Sequence, residues 1–141
     1  MKLGQSMATL AIDDFIMIVQ NPVPIDDEDW DVFIDTMKSV IGAHGRFSFM
    51  VETPGAGPNA KQRAKMNLAA QDASRRGAVL CDSKMVRGII RALSWAANME
   101  IKGFASTEHD KGFAFLETTP ELREQVLKTM AQMRRDIGVE S

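Results

Sequence analysis

The chain has 141 residues, 45% hydrophobic and 26% charged, with a formal net charge of −2, values that exclude wholesale disorder and a fibrous composition. That length can bury one core without disulfides or metals, and the slight acidity argues against wholesale wrapping of nucleic acid. The single cysteine, Cys81, rules out an intramolecular disulfide, no apolar run approaches the roughly 20 residues that cross a bilayer, and the stretch before Asp13-Asp14 is too polar for a secretory leader; a cytoplasmic protein is expected.

From Ala8 to Gln20 the residues alternate loosely and break at Asp13-Asp14, which predicts two short antiparallel strands, the second through Phe15-Ile16-Met17-Ile18-Val19. The prolines of Asn21-Pro22-Val23-Pro24 suit an extended connection. Asp26 or Asp27 then caps a helix with an acidic first turn, in which Trp30, Phe33, Met37, Val40 and Ile41 recur at helical spacing until Gly45 closes it. Arg46 to Glu52 reads as a strand covered on both sides, with Phe47, Phe49 and Val51 on one face and Ser48 and Met50 on the other.

Thr53-Pro54-Gly55-Ala56-Gly57-Pro58 is a loop. Asn59 with Gln62 three residues later reads as a capping box, opening a helix expected to run through Ala64, Met66, Leu68, Ala69, Ala70 and Ala73 and to stop at Gly77. Ala78 to Cys81 is the next strand, and Ser83 caps a helix carrying Met85, Val86, Ile89, Ile90, Leu93 and Ala97. Glu100 to Ala105 forms the last strand, a helical turn follows from Lys111 to Leu116, and Thr119-Pro120-Glu121 starts a final helix that ends near Ile137. The order β-β-α-β-α-β-α-β-α, without repeat or linker, predicts one α/β domain over 1–141, with sheet and main helices in 8–117 and a C-terminal helix in 118–138.

This order resembles the STAS fold, and more closely the bacterial SpoIIAA-like proteins, which share features with the CRAL-TRIO lipid-transfer domains. The residues that carry the resemblance are Ile25-Asp26-Asp27-Glu28-Asp29-Trp30, the strand Phe47 to Glu52, and Ala78-Val79-Leu80-Cys81-Asp82 followed by a helix with Trp95. The resemblance implies a mixed sheet of four to five strands with helices mainly on one face, used as a switch or binding module. In the sporulation antagonist the switch is a phosphorylatable serine in an Asp-Ser-Ser-Gly motif at the helix start after the third strand. Here that position falls in Thr53 to Asn59, which contains no Asp-Ser pair; Asp82-Ser83 looks like the motif but comes one strand and one helix later and lacks the following Ser-Gly.

Several residues carry alternatives. Ser83 at a helix start suits either a phosphate or a simple cap, and Thr53 is a second modification candidate. The loop Gly55-Ala56-Gly57-Pro58-Asn59-Ala60-Lys61 evokes a phosphate cradle but lacks its Gly-Lys-Ser/Thr ending. Between Ala60 and Gly77, Lys61, Arg63, Lys65, Arg75 and Arg76 stand against Asp72 alone, a basic segment for an acidic partner or a solvated helix face, without the aromatic residues that stack bases. Cys81 reads as a buried structural thiol. No metal-ligand spacing, cofactor motif or nucleophile-base pair appears, so no metal, cofactor or catalytic residue is assigned.

Two functions follow. The first is a non-enzymatic regulatory or adaptor module that binds a protein partner, or a second copy of itself, through Thr53, Gly55, Gly57, Asn59, Lys61 and Arg63 with Asp82 and Ser83 alongside. The second, prompted by the lipid-transfer likeness, is a carrier of a small apolar ligand in a pocket lined by Met66, Leu68, Ile89, Ile90 and Phe104.

Overall fold

A computed structural model of the chain describes residues 2–55, 57–70, 74–82, 84 and 100–139. Its strands are β1 (Lys2–Leu3), β2 (Met7–Ile12), β3 (Phe15–Gln20), β4 (Arg46–Glu52), β5 (Ser74–Leu80) and β6 (Glu100–Phe104), paired in chain order in one sheet. The β1–β2 and β2–β3 pairs are antiparallel and the other three are parallel. The mixed sheet is the expected one, with the two-residue β1 added at its edge. Among the described residues the helices are α1 (Asp27–His44), α2 (Ala60–Ala69), α3 (His109–Phe115) and α4 (Pro120–Asp136).

The caps sit where local chemistry demands. Asp26 accepts from the Glu28 N–H at 2.7 Å to open α1, and Gly45 ends it at φ 73°, a left-handed conformation that glycine adopts without steric cost. Thr119 caps α4 ahead of Pro120.

Because successive strand residues point to opposite faces, the buried strands feed two cores. Ile16, Ile18, Phe47, Phe49, Val51 and Val79 meet Trp30, Phe33 and Met37 of α1 and Met66 of α2. Phe15, Met17, Val19, Met50, Ala78 and Leu80 meet Phe113 of α3 and Val126, Met130 and Met133 of α4. The expectation of helices mainly on one face is therefore amended: the C-terminal pair covers the other. The reason lies in β3, where all six residues are buried and both faces need cover.

A second difference concerns Gly77. The helix expected to reach it stops at Ala69, and β5 begins at Ser74, four residues ahead of the predicted strand. Gly77 pairs with Phe49 inside the sheet, and a Cβ there would lie 2.1 Å from Phe49 Cζ, so glycine makes room for a ring instead of ending a helix. Pairing with β4 overrides the alanine-rich helical pattern. Ala73 and the helix read from Ser83 through Ala97 lie outside the described residues, apart from Lys84.

Candidate functional site

The parallel register sets Val19 beside Glu52, Glu52 beside Leu80 and Leu80 beside Phe104, so β3 to β6 all end on one rim. The helices α1, α2 and α3 begin after those ends. In a sheet of this kind the connections leaving the carboxyl ends of the strands are the natural place for recognition.

The loop after β4 is tied down at both ends. Thr53, 8% exposed, donates its N–H to the Leu80 carbonyl at 3.2 Å, and its hydroxyl accepts from the Gly55 N–H at 3.2 Å, closing a small turn. Gly55 has φ 130°, a conformation that suits glycine alone. At the far end the predicted capping box is present: Asn59 Oδ1 accepts from the Gln62 N–H at 2.8 Å, and Gln62 Oε1 accepts from the Asn59 N–H at 3.0 Å. Gln62 also donates from Nε2 to the Ile25 carbonyl and to Asp27 Oδ1, while Trp30 Nε1 donates to the Gln62 carbonyl at 2.8 Å. The cap thereby fastens the loop to α1.

Thr53, Gly55, Gly57, Asn59, Lys61 and Arg63 thus lie along one loop and the first turn of α2. Lys61 is exposed, and Arg63 Nη1 donates to the Pro58 carbonyl at 2.8 Å. Asp82 pairs with the exit of β6: it accepts from the Ser106 hydroxyl at 2.6 Å and the Ser106 N–H at 3.0 Å, bonds that hold its carboxyl below the ordinary range. Ser83 lies outside the described residues.

Other expectations are corrected. The basic segment is divided, with Lys61, Arg63 and Lys65 on α2 and Arg75 and Arg76 in β5. Lys65 pairs with Asp31 at 2.8 Å, and Arg76 faces Glu100 and Glu117 at 3.6 and 3.9 Å. Cys81 follows β5 and is half-buried, not buried within the strand. The three described residues of the expected apolar pocket do not come together: Met66 packs in the α1 core, Phe104 packs against the opposite one, and Leu68 is 74% exposed. Leu68 follows Met66 by two residues, about 200° around a helix, and so points away from it. Ile89 and Ile90 lie outside the described residues.

A polar cluster at the rim escaped the sequence reading. Glu52 ends β4, and Arg134 reaches it from α4, its Nη1 lying 2.5 and 2.6 Å from the two carboxylate oxygens. His109, at the start of α3, brings Nε2 to 3.6 Å from Glu52 Oε2. Burial alone would raise the Glu52 carboxyl, but His109 and then Arg134 outweigh it and hold the group below its ordinary value. One signal was available, since Arg134 falls four residues after Met130 on the apolar stripe of α4. His109 and Glu52 offered none that spacing could reveal.

Among the described residues no group of three or more His, Cys, Asp or Glu could hold a metal, and no helix is long and apolar enough to cross a membrane. A mixed sheet whose parallel strands open onto a rim where α1 and α2 begin on side-chain caps is the layout of a STAS-type module. The SpoIIAA-like family model matches residues 17–117, and the chain belongs to that family. The match lends no support to the CRAL-TRIO likeness. No curated protein and no solved structure matches the chain.

Proposed function

We propose that this chain is a non-enzymatic regulatory or adaptor module, one domain over 1–141 and cytoplasmic, that binds a protein partner across the rim from Thr53 to Lys65 and at Asp82. The observation that carries this reading is membership of the SpoIIAA-like family over residues 17–117, a span that includes the whole loop and both candidate helix starts. The loop supports it: Pro54, Asn59, Ala60 and Lys61 are exposed on a backbone already ordered by the Thr53 turn and the capping box, so a partner need not pay to order it. With its hydroxyl engaged and the residue buried, Thr53 is a poor phosphate acceptor, and the reading includes no phosphorylation at that position.

Site-specific photo-crosslinking in cells tests the proposal. A crosslinker at Lys61 is expected to yield one dominant protein adduct, while the same group at Lys128, exposed on α4, yields none. Equal adducts from both positions, or none from Lys61, would overturn it. Native mass spectrometry of the purified chain separates the alternatives, because a copurified apolar small molecule would favour a carrier instead.

A further inference from the structure

The rim also holds a cleft of about 170 Å³ where β3, β4 and α4 converge, lined by Gln20, Glu52 and Arg134, by Thr53, Pro54 and Ser106 at its edge, and by Val19, Leu80 and Val139 as apolar walls. Gln20 closes a strand in which every residue is buried; it is 5% exposed, and its Oε1 has no hydrogen-bond partner. Arg134 Nε is likewise buried and unpartnered. Of the six such side-chain atoms among the described residues, two belong to residues that line this cleft. Native proteins pair almost all buried polar atoms, so their accumulation at one cleft points to a ligand that completes them.

The chemistry of that ligand follows from what is already satisfied. Arg134 Nη1 and the Glu52 carboxylate cancel each other's charge at 2.5 and 2.6 Å. A charged ligand would sit there without a counter-ion, at a desolvation cost that an uncharged one avoids. The remaining groups are an acceptor on Gln20 and a donor on Arg134. A hydroxyl both donates and accepts, so hydroxyls on a short chain satisfy both. At roughly 30 Å³ for each water-sized group the cleft holds about six.

We infer that this cleft is a binding site for a small uncharged polyhydroxylated molecule of three or four carbons, with Gln20 and Arg134 as its recognition residues. The cleft borders the proposed partner loop, since Thr53 and Pro54 also line it, but the polyol inference rests on Gln20 and Arg134 and not on partner binding.

Titration of the full chain with glycerol and erythritol, followed by ¹H–¹⁵N NMR, tests the inference. Both probes are expected to give saturable shifts centred on Gln20, Glu52 and Arg134, and lactate, a charged analogue of similar size, to bind at least about tenfold more weakly. Gln20→Met is expected to weaken polyol binding about three- to tenfold, the loss of one hydrogen bond, while leaving the thermal midpoint unchanged or higher because an unpaired buried acceptor is removed. Val139→Trp, which fills the cleft from the end of the chain, is expected to abolish saturation. Linear shifts without saturation, lactate binding as tightly as the polyols, unaltered affinity in either variant, or a fall in the Gln20→Met midpoint would each overturn the inference.

Discussion

Gly77 and Leu68 show how one side chain, or the lack of one, reports its surroundings. Gly77 admits the Phe49 ring, so Gly77→Ala forces a ring that is 3% exposed to move within a packed core. A loss of about 1–3 kcal/mol is expected in urea denaturation, the usual cost of overpacking. Leu68 stands largely in solvent, and Leu68→Gln is expected to leave stability within about 0.5 kcal/mol of the parent by the same measurement. A larger loss would restore Leu68 as a pocket residue. Asn59 and Gln62 were legible from their spacing because a capping box closes within four residues of chain. The further bonds of Gln62 to Ile25 and Asp27 were not legible, since they join groups 37 and 35 residues apart.

At the level of elements, the Glu52–Arg134 pair fastens α4 to the end of β4 across 82 residues of sequence. The Glu52 carboxyl sits below its ordinary value of 4.5 in the folded protein, with burial opposed and outweighed by His109 and Arg134. The unfolded chain therefore binds the proton first as pH falls. The stabilisation is complete above about pH 4.5 and is lost as pH drops through the folded value. Glu52→Gln is accordingly expected to be less stable than the parent at pH 7, by about 1–3 kcal/mol, because Arg134 loses its charged partner. Denaturation at pH 7 and at pH 3.5 to 4 checks the sign: the gap should narrow on acidification, and a gap that widens would show that the pair is not the source. The cap of α2 offers a separate measurement, in which Asn59→Ala is expected to cost about 1 kcal/mol of stability.

For the whole molecule, the sheet is sealed on both faces, by α1 and α2 on one and by α3 and α4 on the other. The family match ends at residue 117, yet Val126, Met130 and Met133 of α4 are fully buried against the sheet. Met66 and Met130, buried in opposite cores, share the strands between them. Met66→Ala and Met130→Ala are each expected to cost about 2–5 kcal/mol, with fluorescence and circular dichroism giving coincident transitions in both variants. Transitions that separate in the Met130 variant alone would mark α4 as an independently unfolding appendage.

The strands β2, β3 and β4, the helices α1 and α4, the caps at Asp26, Asn59 and Thr119, and the resemblance to the SpoIIAA-like family were readable from the sequence, because periodicity and capping are decided by residues within a few positions of one another. Where β5 begins, which face each helix covers, and the meeting of Gln20, Glu52, His109 and Arg134 were decided only by the tertiary structure. Those features join residues tens of positions apart, and they depend on strand register and on which side of the sheet the chain returns, neither of which leaves a local pattern.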